Sequence, residues 1–210
     1  MDLSTADRHG VGIMLRIYGT KTSPYVRRVR IVAHELGLPI TLVDTSSDEG
    51  QAELRDTSPL WKVPAARVDG ELVLDSRVIT EVLLARHPDS PLSRPLTLAE
   101  RNAITVIDGA LDSLINCFYL ARDGVDAQEA SYLGKQRERA TSAIEWIEGQ
   151  LRDGRLSEES TFGLADLALA TTADWMRFRN TYPVDEHPGL IACLERCQQR
   201  ESFAATRPPA

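Results

Sequence analysis

Ser23 is the residue whose type and position could do chemistry. It precedes Pro24 at the head of an apolar-periodic run, so it sits where a helix begins. Serine caps with its hydroxyl, and proline at the first helical position loses no needed N–H. A helix start presents unpaired N–H groups and the positive end of a dipole. A thiolate placed there is stabilised, because thiol pKa values fall at helix N-termini. A serine hydroxyl could donate to that sulfur, but serine has no sulfur of its own. Any thiol must then come from a ligand. A plain helix cap remains the competing reading. Tyr18, five residues upstream, offers a second hydroxyl.

The elements that position Ser23 follow from the pattern. Ile13, Leu15 and Ile17 alternate with Met14 and Arg16, which predicts a short strand with one buried face. Gly19 to Thr22 forms a turn. Val26, Val29, Ile31, Val32, Ala33 and Leu36 give a broad apolar helix face that Gly37 and Pro39 terminate. Ile40 to Asp44 reads as a second strand. Residues 45–58 are polar, with at most a short helix from Gln51 to Arg55. Pro59 and Pro64 break regular structure in Ser58-Pro59-Leu60-Trp61-Lys62-Val63-Pro64. Ala65–Val68 and Glu71–Leu74 flank Asp69-Gly70, a hairpin signal. Asp75-Ser76 then opens an apolar helix through Val78, Ile79, Val82, Leu83 and Leu84, and either residue could cap it.

Pro88, Pro91 and Pro95 stiffen residues 88–96, which read as a linker. Beyond it the pattern is helical throughout. Ile104, Ile107, Leu111, Leu114, Ile115 and Phe118 predict a helix from Thr97 to about Arg122. A second runs from about Ala127 to Leu151, and a last from Leu190 to Arg200.

This chain of elements resembles the cytosolic glutathione S-transferase family, in its bacterial, YibF-like branch. Thr22-Ser23-Pro24-Tyr25-Val26 is similar to the Cys-Pro-Tyr-Cys turn of glutaredoxins, with serine at the first cysteine. Ser58 to Ala65 resembles the family's NP-L-G-K-VP segment, and Asp75-Ser76 its acidic residue plus serine. The Gly163–Asp166 run resembles the cap of the family's central helix, where Ser or Thr usually stands. Arg200 to Pro209 resembles the family's tail. The resemblance implies an α/β thioredoxin-like domain at 13–87, a linker at 88–96 and an all-α helical-bundle domain at 97–210, preceded by a mobile extension at 1–12. It also implies a cis bond before Pro64.

On the same footing the resemblance implies a glutathione transferase with Ser23 as catalytic residue. Glutathione would lie across Val63, Pro64, Asp75, Ser76 and Lys62, with Arg27 and Arg28 adding positive potential nearby and one of the two facing solvent. Phe118, Arg122 and Phe203 are candidate contacts for a small hydrophobic electrophile, though Phe203 could instead pack back onto the first domain. A homodimer in the cytoplasm, engaged in detoxification, is expected. The alternatives are a glutathione-dependent peroxidase or isomerase, or a non-catalytic binding protein of the same fold. The absence of cysteine at position 23 argues against disulfide exchange, and the absence of a Ser-Ser-Cys run argues against the isomerase class.

Bulk properties narrow the field. The 210 residues suffice for one or two cored domains. A net charge of −7 disfavours nucleic-acid binding through overall charge. No apolar run in the sequence reads as a membrane span, and Met1 to Gly10 lacks the apolar core of a signal peptide. Cys117, Cys193 and Cys197 are odd in number and match no zinc spacing, which suits a reducing compartment. His9, His34, His87 and His187 are scattered, so no metal site is expected.

Overall fold

A computed structural model describes residues 13–125, 130–157 and 161–209. The expected extension at 1–12 lies outside the described residues, as does the 127–129 start expected for the second long helix.

Four strands form one mixed sheet: β1 (Leu15–Gly19), β2 (Ile40–Asp44), β3 (Ala65–Val68) and β4 (Glu71–Leu74), in the order β2-β1-β3-β4. The β1–β2 pair is parallel, and β1–β3 and β3–β4 are antiparallel. The parallel pair needs a crossover, supplied by α1 (Pro24–Glu35). Alternation along β1 sorts its side chains by face. Leu15 and Ile17 join the main core with Val26, Val29 and Val32 of α1, and with Ile79 and Leu83 of α3 (Ser76–Ala85). Tyr18 points to the other face, against Leu54 of α2 (Asp48–Thr57) and Ala65. Gly19 ends β1 because the first turn of α1 approaches closely: a Cβ there would come within 2.3 Å of Val26.

The α2 helix is ten residues long, twice the short helix expected from the sequence. The Ser47 hydroxyl accepts from Gly50 N–H at 3.1 Å, and Asp48 and Glu49 complement the dipole in the first turn. That end stabilisation sustains a helix with little apolar surface; Leu54 is its one buried large side chain.

A short 3₁₀ turn, Pro91–Ser93, leads into α4 (Leu98–Arg122), α5 (Ser131–Gln150), α6 (Leu164–Arg179), α7 (Pro188–Gln198) and α8 (Glu201–Ala205). The final helix expected from Leu190 to Arg200 is α7, and α8 is a further short helix in the tail that the sequence reading did not mark. Thr97 and Glu100 form a reciprocal capping box at the head of α4. Contrary to the sequence reading, α4 is by length and composition apolar enough to cross a membrane, with a window of mean hydropathy 1.4. Its apolar positions Ile104, Ile107, Leu111 and Leu114 are buried in the core that α4 shares with α5 and α6.

The buried α6 begins at Gly163 without a side-chain cap. A Cβ at Gly163 would lie 3.1 Å from both Arg94 Nη2 and Ser157 Oγ, so a larger residue there would require those two side-chain ends to shift. Asp166 carries the turn instead: it is fully buried and accepts from Leu156 N–H at 2.9 Å and Gly163 N–H at 3.4 Å.

Candidate functional site

Ser23 caps α1 as its sequence position predicts. Its backbone is extended (φ −74°, ψ 125°), and its Oγ accepts from Val26 N–H at 3.3 Å. That use of Oγ as acceptor leaves the hydroxyl proton free to donate elsewhere. With Pro24 at the first helical position, the N–H of Tyr25 is the next donor, and it has no acceptor within the helix.

Sheet register brings the other residues to the same edge. Tyr18 pairs with Ala65, and Ala65 pairs with Leu74. One step beyond this row lie Gly19, Pro64 and Asp75, side by side at one end of three adjacent strands. From that end the chain leaves Gly19 for Ser23, arrives through Lys62 and Val63, and leaves Asp75 for Ser76. Ser23, Val63, Pro64, Asp75 and Ser76 therefore gather around a single sheet end. Lys62 is exposed and follows Trp61, which is also exposed and adopts the left-handed region at φ 54°.

The Val63–Pro64 peptide is cis. Among the described residues, the N–H and C=O of Val63 have no hydrogen-bond partner, so they are available to an added strand. Asp75 is at φ 75°, ψ 139°, a region that side chains rarely adopt. Holding it there costs on the order of 1–3 kcal/mol, and such strain concentrates at ligand sites. Its Oδ1 caps α3 by accepting from Arg77 N–H at 2.8 Å, while the exposed carboxylate keeps its other oxygen for a ligand. Ser76 is buried at the first position of α3.

Tyr18 is disposed differently. Its ring is 2% exposed, and its hydroxyl donates to Glu53 Oε1 at 2.9 Å on the α2 side of the sheet. Glu53 also accepts from Arg16 at 2.8 Å through each oxygen. Hydrogen bonds from Arg16 first, then from Tyr18, hold the Glu53 carboxyl below its ordinary range. The Tyr18 hydroxyl is thus occupied away from the face that carries α1. Tyr18→Phe should leave turnover within twofold and reduce stability by about 1 kcal/mol, the usual worth of one hydrogen bond. Steady-state rates and a denaturant titration check this, and a tenfold loss of turnover would return Tyr18 to the chemistry.

Arg27 and Arg28 correct the sequence reading. Neither faces solvent: they are 3% and 5% exposed. Arg27 ion-pairs with Asp174 of α6, donates to the Phe203 carbonyl at 3.3 Å and lies over the Phe203 ring at 5.4 Å. Arg28 ion-pairs with Asp108 of α4 and donates to Thr172 Oγ1 at 2.9 Å and Thr171 Oγ1 at 3.2 Å. Their charge is spent on joining α1 to the helical part of the chain. Phe203 is 1% exposed and packs back on α1, as the packing alternative had it. Phe118 and Arg122 line a cavity whose walls come from the C-terminal part of the chain, including the turn at Asn180 to Pro183.

Sequence reasoning missed the contacts that fix the rim of this sheet end. Arg77, directly after Ser76, ion-pairs through Nε with Asp108 Oδ2 at 3.0 Å and donates to Thr105 at 3.0 Å. Tyr25 donates to Asp112 Oδ1 at 2.7 Å. Burial, and then its bond to Asp112, push the Tyr25 hydroxyl well above the usual tyrosine range against the pull of Arg28. Asp108 thereby links the first turns of α1 and α3 to one place on α4. Adjacency of Arg77 to Asp75-Ser76 was the available signal; its partner on α4 carries no sequence mark.

Residues 17–91 match the family of glutathione S-transferase N-terminal domains, and residues 96–196 match the glutathione S-transferase C-terminal domain. The chain is 32% identical over 93% of its length to an uncharacterised GST-like protein, YibF, of Escherichia coli K12, of which the match covers 99%. It belongs to the glutathione S-transferase family. Its mixed-sheet N-terminal domain and helical C-terminal domain are those of the glutathione S-transferase fold. Similar solved structures include two bacterial ones. A Pseudomonas fluorescens Pf-5 glutathione transferase family member with bound glutathione has a TM-score of 0.80 and 29% identity, covering 93% of this chain and all of that one. A Methylobacterium radiotolerans glutathione S-transferase in complex with glutathione sulfonate has a TM-score of 0.79 and 27% identity, covering 94% of this chain and 96% of that one.

Proposed function

We propose that the protein is a glutathione transferase whose site is the sheet end bearing Ser23. Glutathione would lie across the ends of β1, β3 and β4. Three strands span about 10 Å at the usual spacing of about 4.8 Å, and an extended tripeptide has that length. Its cysteinyl backbone would pair with the free N–H and C=O of Val63 beside Pro64. Asp75 would take its amino group and Ser76 an α-carboxylate at the α3 N-terminus, with Lys62 within reach of the glycine carboxylate. Ser23 would donate to the sulfur and hold it as thiolate for attack on a small electrophile.

The observation that carries this reading is the Ser23 hydroxyl, used as a cap acceptor yet free to donate, at the head of α1 beside Asp75 and Val63. The glutathione-bound relatives support the ligand. They leave the acceptor substrate open, so conjugation is our choice over peroxide reduction. We take residues 13–87 and 97–210 as the two domains, 88–96 as the linker, and a cytoplasmic homodimer as the working form.

Calorimetric titration with glutathione tests the site, using the native chain and Asp75→Asn. Asparagine keeps the cap and tolerates positive φ, so the change isolates the charge. Binding to the native chain and at least tenfold weaker binding to Asp75→Asn are expected. No binding, or an unaltered dissociation constant in the variant, removes the assignment. A panel of electrophiles and hydroperoxides on the same preparation then separates the two reactions, and light scattering reads the oligomeric state.

A further inference from the structure

Two of the cysteines are placed together, away from Ser23. Cys193 and Cys197 are free thiols one turn apart on α7, 0% and 1% exposed. Both sulfurs point at one atom, the Asp166 carbonyl oxygen of α6. Cys193 Sγ lies 3.8 Å from it and Cys197 Sγ 4.0 Å. The two thiols also meet each other. The Asp166 carbonyl already belongs to the ladder of α6, and a thiol is a weak donor, so the thiol protons are loosely held.

A buried cysteine commonly packs as a small apolar side chain. The surroundings of this pair are not those of an apolar filler. Arg196 Nη2 stands 3.8 Å from Cys193 Sγ, and it pairs with Asp166 Oδ1 at 3.3 Å. A guanidinium beside sulfur is the setting in which thiolates form. Cys197 also lines a cleft of about 460 Å³ between the end of α1, residues 90–92 and α7. Arg155, Arg196 and Arg200 line that cleft with a single carboxylate, Glu35.

Among the described residues, no group of three or more His, Cys, Asp or Glu side chains could hold an ion, so a four-ligand zinc site is not formed there. The expectation of no metal site rested on zinc spacing and scattered histidines, neither of which bears on a pair of thiolates. Two thiolates suffice for a soft cation that accepts linear coordination, and copper(I) is the ion that thiolates select. Two metal–sulfur bonds of about 2.3 Å laid end to end span about 4.6 Å. Side chains one helical turn apart, with Cβ atoms about 5–6 Å from each other, can offer that separation.

We propose that Cys193 and Cys197 form a copper(I) site, separate from the one around Ser23. Free copper(I) disproportionates in water, so it moves between thiols as anionic thiolate complexes. The arginine-lined cleft attracts such a complex and leads it to Cys197. Ligand exchange then balances without a change of oxidation state. A copper(I) bis-thiolate gives its ion to the two cysteines, and each departing thiolate takes one cysteine proton. The bound unit carries one negative charge, which Arg196 offsets. The site stands whether or not Ser23 activates a thiol.

Anaerobic competition of the full-length protein against the copper(I) complex of bathocuproine disulfonate is the test, read as loss of that complex's colour. Withdrawal of one copper per chain is expected. Cys193→Ser and Cys197→Ser should each weaken binding at least tenfold, and Cys117→Ser should leave it within threefold. No withdrawal, native affinity in either of the first two variants, or an equal loss in Cys117→Ser would each overturn the proposal. Should the buried serine variants fail to fold, X-ray absorption of the copper-loaded native chain carries the test. Two sulfur neighbours per copper support the site; three or more sulfurs, or nitrogen or oxygen neighbours, overturn it.

Discussion

Ser23→Ala should lower turnover well over tenfold while glutathione stays bound. A free thiol has a pKa of about 8.5, and depressing it by two units takes about 2.7 kcal/mol of preference for the thiolate. A charge-assisted hydrogen bond contributes about 1.5–3 kcal/mol and a helix terminus a few tenths to 1 kcal/mol, so the hydroxyl is the larger share. Its loss converts to roughly a tenfold to hundredfold fall in rate at neutral pH. Affinity for glutathione should change no more than about threefold, because in the proposed binding mode Val63, Asp75 and Ser76 would hold the rest of the tripeptide. The variant also loses a cap worth about 1 kcal/mol, so a melting curve must accompany the kinetics. Ser23→Thr restores both hydroxyl and cap and should recover most of the rate. The thiolate absorbance of bound glutathione, followed against pH, reads the mechanism directly: its midpoint should rise in Ser23→Ala. Unchanged turnover, or an unmoved midpoint, would remove Ser23 from the chemistry.

How much of this was legible in the sequence depends on how local each determinant is. The Ser23 cap, the Asp69-Gly70 hairpin and the Thr97 start of α4 are each set by neighbours within a few residues, and each appears where the pattern puts it. The α2 helix was underread because capping at Ser47 and first-turn acids, not apolar periodicity, hold it. The left-handed backbone at Asp75 has no sequence mark at all, since nothing in an aspartate announces positive φ. Arg27 and Arg28 show the sharpest limit. Two adjacent cations beside a presumed anion site invite an electrostatic role in binding. Their actual partners, Asp174 and Asp108, lie 147 and 80 positions away and are set by how α1 docks on α4 and α6. Local chemistry finds the cap; only tertiary packing decides which charges remain free for a ligand.

That docking makes Arg27→Met the most destabilising single change expected between the two domains. Arg27 is 3% exposed, and its removal leaves Asp174, among the described residues, with one neutral partner, Gln198 Nε2 at 3.3 Å. Breaking a buried pair from one side costs about 3–5 kcal/mol, because the remaining charge is stranded. In a chain of this size that is roughly a 10 °C fall in melting temperature. Arg28→Met makes the informative comparison. Its carboxylate partner Asp108 keeps Arg77 at 3.0 Å, so less charge is left unpaired and the loss should be smaller. Arg27→Met/Asp174→Leu removes both charges and should recover much of the single-variant loss, since apolar replacement of a whole buried pair is often neutral. Calorimetric melting of the three variants orders them. If Arg28→Met proves the more damaging, or the double variant recovers nothing, then hydrogen bonds to Thr171, Thr172 and the Phe203 carbonyl, rather than charge pairing, govern the contact between α1 and the helical domain.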